Sequence, residues 1–387
     1  MSTLSVEVVK IDDVQPHPDP ETTRLSVLTI GGYKTITAKV KDSDGEYHCP
    51  YAVGDHVIYV PPDAIVPKDV SDHWGVTSYL GTGGRVKTVR LRGFVSRGFV
   101  VPVEPICGEG YMESQFRCHT DPTWVTTNWM PAVGDDVADY YGITKYEPPQ
   151  SAINRIASSA INRIASGIET ELPGFTRYTD IERIQRFPDV LIPGEQVVIT
   201  EKLHGSNSRI ASIRTPDGDV IVCGTRRNQV RRGSGTMYEY PLGNTNVVAL
   251  LSALRGTHPS PESIVIFGEV YGPHVQGKMT YGVPQGSYGY RAFDIAVNGG
   301  YLEQVDFEAL CEIHGVDIAP VLYTGPWSTE IADEYSDGPS TIGGGHIREG
   351  VVIKPVRERT HWELGRVILK RIGDSYEVGQ YEMSDSH

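Results

Sequence analysis

The β-branched run Gln196-Val197-Val198-Ile199-Thr200 breaks directly into Glu201-Lys202-Leu203-His204-Gly205-Ser206-Asn207, and no other stretch constrains the chain so tightly. Such a run reads as a strand and a Gly-containing polar segment as a turn, so Lys202 is expected where a strand opens into a loop. A lysine held there is neither sealed into a core nor loose in solvent. An ε-amine must lose its proton to act as a nucleophile, which nearby cations or partial burial favour. Lys354 and Lys370, far downstream, are candidates for those cations. The same short pattern also suits an ordinary solvated strand-end lysine, so its meaning depends on the rest of the chain.

At 387 residues the chain is long enough for two cores, and its 42 Gly and 26 Pro, many beside β-like runs, favour a β-rich architecture. No apolar run approaches membrane-spanning length, and the start MSTLSVEVVK lacks the basic and apolar regions of a signal peptide. A soluble cytoplasmic protein with no membrane association is therefore expected. Cys49, Cys107, Cys118, Cys223 and Cys311 are scattered and odd in number, which argues against a disulfide framework and a structural zinc site.

A formal charge of −14 disfavours a nucleic-acid partner at long range. Contact with a phosphate backbone needs only a local basic surface, however. Two candidates exist: Arg85, Lys87, Arg90, Arg92 and Arg97 in one segment, and Arg226, Arg227, Arg231 and Arg232 in another. Either equally suits a solvated face answering the acidic remainder.

Residues 3–101 are short β-like runs split by Gly, Pro and Asp, the pattern of a small barrel or sandwich. The stretch Val14-Gln15-Pro16-His17-Pro18-Asp19-Pro20, followed by Thr23-Arg24-Leu25, resembles the opening of OB-type tRNA-binding modules, whose sheets and loops bind nucleic acid. His17 is read as a turn residue without chemistry. In the irregular segment 104–148, Trp124, Trp129, Tyr140 and Tyr141 are expected to pin the connection to a core. Residues 151–166 read SAINRIAS twice, too short for an architectural repeat, and mark a duplicated linker. The expected division is residues 1–145, a linker over 146–170, and a second domain over 171–387.

In that second domain Pro216-Asp217-Gly218 is expected to turn one strand into the next and deliver the Arg226 cluster. Residues 244–255 place Val247, Leu250, Leu251 and Leu254 at helical spacing, as core. A second short helix runs from an Asp306 cap to His314, with Phe307, Leu310 and Ile313 on its apolar face. Glu269 lies near the end of an apolar strand, where it suits a bond to a ribose hydroxyl. Phe293, taken alone, reads as core. Glu349 and Lys354 stand at opposite ends of another apolar run, and Lys370 ends a last one. A carboxylate, two lysines and a third amine are the parts that phosphoryl-type transfer requires.

The ordered series EKLHGSN, FGEVYG, AFDI, EGVVIKP and VILKRI resembles the nucleotidyltransferase motifs of ATP-dependent RNA ligases. The His after Lys202, where DNA ligases usually have Asp, is similar to the RNA-ligase branch, and the β-rich domain ahead of the motifs resembles the Deinococcus-type nick-sealing family within it. Little chain follows Lys370, too little for the C-terminal domain of other branches. The fold implied is α+β: an N-terminal OB-like β-barrel, then a nucleotidyltransferase domain of antiparallel sheets with flanking helices, ATP-grasp-like in arrangement.

The resemblance implies that Lys202 takes AMP from ATP as a lysyl-AMP, passes it to an RNA 5′-phosphate, and lets a 3′-hydroxyl displace it. It implies that Asn207 and Glu269 hold the ribose, Phe293 stacks on adenine, and Glu201 and His204 line the ATP/AMP site. Glu349 would hold Mg²⁺ or Mn²⁺, Lys354 and Lys370 the α-phosphate, and Arg226 or Arg227 the 5′-phosphate or nucleotide. Arg231, Arg232, Arg90 and Arg92 are the further RNA-contact candidates. The last motif often carries a second basic residue two places from the first. Here Ile368 and Ile372 flank Lys370, leaving Arg366 or Arg371 to compensate. The implied partner is broken or nicked RNA, or an RNA/DNA hybrid duplex, with no obligate protein partner. A DNA ligase, a capping-type nucleotidyltransferase, and a binding-only OB protein with an inactive transferase domain are the rivals.

Overall fold

The computed structural model describes residues 4–19, 21, 24–105, 130–146, 168–273, 275–276 and 279–379. The SAINRIAS duplication, Trp124 and Trp129 lie outside the described residues. The chain forms two compact units, Met1–Pro148 and Pro149–His387. Among the described residues no helix is long and apolar enough to cross a membrane.

The first unit is built from small antiparallel sheets. Glu7–Lys10 and Phe99–Pro102 flank His56–Val60 in one, and Leu25–Ile30 is central between Asp13–Pro16 and Tyr33–Ala38 in another. Val8, Ile58, Val60 and Val101 face a core that also takes Tyr141, while Ile11, Leu28, Ile30, Val57 and Tyr59 form a second. Tyr141 is buried and Tyr140 packs beside it, so both pin their connection as expected. The described residues contain no closed barrel. Between Tyr33–Ala38 and the hairpin Val89–Leu91/Phe94–Ser96 with the residues after it, one backbone bond, from the Arg97 amide to the Lys34 carbonyl at 3.0 Å, is joined by side-chain bonds: Ser96 Oγ accepts from the Ile36 amide at 2.9 Å, and Thr35 Oγ1 donates to the Gly98 carbonyl at 2.8 Å. That hairpin turns on Arg92 and Gly93, both at positive φ, which matches the strand twist.

The second unit is two facing antiparallel-rich sheets with helices on their outer sides. Ser206–Thr215 lies between Gly218–Thr225 and Ser263–Tyr271 in a seven-stranded sheet, with Gly289–Val297 next outward. Alternation sends Ile210, Ile264 and Ile266 to one face. There they meet Val247, Leu250 and Leu251 of helix Thr245–Arg255, whose Asn244 side chain accepts from the Asn246 amide as an N-cap. Helix Gln304–His314 buries Phe307 on the same core. Its cap position is Glu303 rather than Asp306, which lies in the first turn. Ile313 is 76% exposed, because position 313 falls off the face set by Phe307 and Cys311.

The five-stranded sheet places Gln196–Glu201 between Gly350–Pro355 and Val321–Pro326, with Leu369–Ile372 beyond Gly350–Pro355. Val197, Ile199, Val351 and Ile353 pack outward against Trp327 and Ala332. Ala211, Val265, Phe267, Val352 and Ile368 fill the space between the two sheets. The open end of that inter-sheet layer is where the strands release Lys202, Asn207 and Glu269.

Candidate active site

Lys202 follows Thr200 and Val198 on the inward face, because side chains two apart share a face of a strand. Its amide donates to the Gly350 carbonyl (2.9 Å), and its Nζ lies 2.7 Å from Glu349 Oε1. Gly350 has φ 152°, and a Cβ there would stand 2.2 Å from the Arg371 carbonyl oxygen, so only glycine lets Glu349 reach Lys202 from the adjoining strand. His204 Nδ1 is 3.5 Å from Glu349 Oε2. Its amide donates to Tyr281 Oη at 2.8 Å, and Nε2 donates to the Gln276 carbonyl at 2.9 Å. Gly205 is needed for close approach: a Cβ would meet the Val270 carbonyl oxygen at 2.4 Å and Glu269 Cγ at 2.7 Å.

Asn207 and Glu269 are paired across neighbouring strands, so their side chains stand side by side on the inward face. Asn207 Oδ1 is buried without a hydrogen-bond partner, an acceptor that a ligand hydroxyl could satisfy. Burial pushes the Glu269 carboxyl up to about 8, Lys202 opposing and Glu349 adding to the rise. Burial also works against the Glu349 carboxylate, yet Lys202 and His204 hold its carboxyl down at about 2. Burial, with Lys202 and Arg183 nearby, pulls Lys370 down to about 8. Two carboxyls in one site are thus driven apart, one ready to stay protonated and one firmly ionised.

The other expected residues are distributed unevenly. Glu201 faces the opposite side of its strand, where its carboxylate accepts from Ser340 Oγ (2.5 Å) and from the Thr341 amide and hydroxyl (2.8 Å each). It fastens the loop ahead of Glu349. Lys354 is 5% exposed and its Nζ donates to Asp294 Oδ1 at 3.1 Å, with Glu358 Oε1 at 3.4 Å. Asp294 Oδ2 also accepts from Tyr178 Oη (2.7 Å) and lies 2.8 Å from Arg366 Nη2. Lys354 and Arg366 therefore both serve a buried ion cluster that ties the two sheets together.

Phe293 lies between the sheets against Tyr178, ring centroids 4.8 Å apart. A register shift opposite Phe267 and Gly268 lets the consecutive residues Phe293 and Asp294 both face inward. Arg226 is half-buried, ion-paired with Asp180, and drawn down by burial and by Arg227 while Glu269 acts the other way. Arg227, Arg231 and Arg232 are exposed, as are Arg90 and Arg92 in the first unit. Arg85 is committed to Asp63 and stacks on Tyr146 at 3.6 Å, and Arg97 is buried. Arg371 is held by Asp333 and Asp374.

Three residues around the site have no role assigned from the sequence: Asp294, Arg183 and Tyr376. Asp294 had one signal, its place after Phe293, but simple alternation would point it away. Arg183 and Tyr376 had none. Among the described residues no group of three or more His, Cys, Asp and Glu is arranged to hold a metal ion unaided. Glu349, the ionised acid beside Lys202, is a sparse hard-oxygen ligand of the kind Mg²⁺ or Mn²⁺ completes with phosphates and water.

The family model for RNA ligase matches residues 195–372, which span all the strands that carry this site. The fold is similar to that of a Naegleria gruberi RNA ligase solved with PPi: TM-score 0.68, 22% identity, 97% of this chain and 98% of that one covered. A variant of that ligase with ATP and Mn gives TM-score 0.66 at 22% identity, covering 97% and 98%. Another variant, with AMP and Mn, gives 0.66 at 22%, covering 96% and 97%. No curated protein matches the chain.

Proposed function

We propose that the chain is an ATP-dependent RNA ligase that joins a 5′-phosphate to a 3′-hydroxyl through a lysyl-AMP on Lys202. The observation that carries this reading is the convergence on one strand-end lysine of Glu349, directly ahead of strand Gly350–Pro355, Glu269 of Ser263–Tyr271 and Lys370 of Leu369–Ile372. The likeness to RNA ligases, including the ATP- and Mn-bound forms of the Naegleria enzyme, supports it.

In the first step Lys202 Nζ, deprotonated, bonds to the α-phosphorus of ATP. The bond from that phosphorus to the oxygen bridging to the β-phosphate breaks, and pyrophosphate leaves with the electron pair. AMP then passes to the 5′-phosphate of an RNA end, freeing Lys202, and a 3′-hydroxyl displaces AMP to seal the strand. Asn207 Oδ1, a buried acceptor without a partner, and the Glu269 carboxyl beside it suit the two ribose hydroxyls. Phe293 supplies the ring for adenine, His204 lines the nucleotide site beside Glu349, and Arg226 reaches the nucleotide or the 5′-phosphate.

Lys370 supplies cationic charge for the α-phosphate. Lys354, expected in that role, is assigned instead to the Asp294 cluster beneath Phe293. Glu201 is assigned to the Ser340–Thr341 loop in place of the nucleotide. Glu349 would hold Mg²⁺ or Mn²⁺, which when bound neutralises charge on the phosphates. The first unit is proposed to act as an OB-like RNA-binding module, with Arg90 and Arg92 on its hairpin. Arg227, Arg231 and Arg232 are proposed to bind RNA on the second. Nicked RNA and RNA/DNA hybrids are the proposed substrates, and the cytoplasm the proposed location.

The test is sealing of nicked duplexes with either RNA or DNA 3′-ends, using ATP or GTP. Sealing with ATP at RNA 3′-ends supports the reading. Sealing that prefers DNA ends, or transfer of GMP in place of AMP, overturns it in favour of a DNA ligase or a capping-type enzyme.

A further inference from the structure

The final turn of the described chain reaches back into the site. Residues Asp374–Glu377 form a short helix whose start is fixed by Asp337, which accepts from the Asp374 and Ser375 amides at 3.1 Å each. Arg371 bonds Asp374 at 3.2 Å, and Arg183 pairs with the buried Glu377 side chain. So anchored, the turn presents Tyr376 to His204: Tyr376 Oη lies 2.9 Å from His204 Nδ1, with the rings edge to face at 5.7 Å. Tyr376 packs against the buried cluster of Leu203, Tyr281 and Ile347.

His204 is therefore gripped at both nitrogens. The Gln276 carbonyl can only accept, so Nε2 carries a proton. Nδ1 then faces Tyr376 Oη at 2.9 Å and Glu349 Oε2 at 3.5 Å. When Nδ1 is unprotonated, only the hydroxyl can donate to it, since the ionised carboxylate has no proton to give. When Nδ1 is protonated, the hydroxyl accepts from it and shares it with Glu349. A hydroxyl serves both states and a phenyl ring serves neither.

We propose that Tyr376 is a positioning residue for lysine adenylation, holding the His204 ring against Glu349 and, through Glu349 Oε1 at 2.7 Å, fixing where the Lys202 amine stands. The contacts form an unbroken chain, Tyr376 to His204 to Glu349 to Lys202, whose last member is the nucleophile. The inference rests on the ligase reading above, and it extends the site to a turn beyond the last recognised motif.

The experiment compares wild type with Tyr376→Phe, which keeps the ring packing and deletes one hydroxyl. Rates of lysyl-AMP formation are measured across ATP concentration, alongside thermal melting and ¹⁵N chemical shifts of the His204 ring. The expected result is roughly a tenfold fall in the rate at saturating ATP, the scale of one lost hydrogen bond to the reacting group's support. KM for ATP should stay within about twofold, the melting temperature should hold, and the Nδ1 resonance of His204 should move. A rate equal to wild type, or a loss confined to KM, overturns the proposal. If wild type itself forms no adduct, the ligase reading fails. The His204 resonances then still decide whether Tyr376 fixes that ring, and an unchanged Nδ1 shift in Tyr376→Phe rejects it.

Discussion

Lys202 is about one-quarter exposed and its only ion-pair partner among the described residues is Glu349, whose side chain is 13% exposed. Lys202→Ala should therefore abolish adenylation while the protein still folds. Its stability should drop by about 2 kcal/mol, because the substitution strands a mostly buried carboxylate. Denaturant unfolding checks the second half, and wild-type stability would show that Glu349 finds another partner. Glu269 makes a pH prediction. Its folded pKa, about 8, stands above its ordinary value, so between those values the folded state holds a proton that the unfolded chain has released. Stability from this group is then lost as pH rises through that window. Glu269→Gln should melt several degrees above wild type at pH 8.5, with the gap closing toward pH 5. A gap that widens on acidification would contradict the burial of that carboxyl. Lys202, Asn207, Glu269 and Glu349, which the structure brings together, were legible as a group through the ordered motifs and the resemblance they carry, while local pattern alone marked only Lys202 at a strand end and Glu269 and Glu349 beside apolar runs. The facing of Glu201 was equally available from strand alternation: Val197, Ile199 and Glu201 share one side, Lys202 the other. Tyr376 was not, since one tyrosine in a short polar tail carries no period and no neighbouring motif.

Strands and helices were easier to read than the joints between them. Val247, Leu250, Leu251 and Leu254 bury as their spacing requires, and the Pro216–Asp217 turn joins the two strands it was expected to join. The exception is strand Gly289–Val297, where one irregular pairing turns Asp294 inward beside Phe293. Alternation alone puts only one of the two inside, so the ion cluster of Asp294, Lys354, Glu358 and Arg366 was invisible and Lys354 read as a free cation. Removing one member of a buried ionic cluster leaves the others uncompensated. Lys354→Met should cost about 3 kcal/mol by denaturant unfolding, with the loss appearing as lowered stability before any loss of ATP affinity. A stable variant that fails only in ATP binding would return Lys354 to the phosphate.

At the scale of the whole chain, the two compact units suggest a division of labour. A fragment of Pro149–His387 is expected to keep adenylation, since every residue of the proposed lysine chemistry lies within it. Sealing by that fragment should weaken, and RNA affinity of the full chain should fall with salt according to the few exposed arginines engaged. Equal sealing by fragment and full chain would remove the first unit from substrate recognition. The barrel expected there rests on strand count and turn punctuation, which do not reveal how strands meet: Tyr33–Ala38 joins the residues around Ser96 and Gly98 by a single backbone bond, Arg97 to Lys34, and by the Thr35 and Ser96 side chains. The most direct measurement is intact mass after incubation with ATP and Mg²⁺ or Mn²⁺, for wild type and Lys202→Ala. Wild type should gain the mass of one AMP and Lys202→Ala none; an adduct that survives the substitution, or a wild type that never gains it, would contradict nucleophilic attack by Lys202.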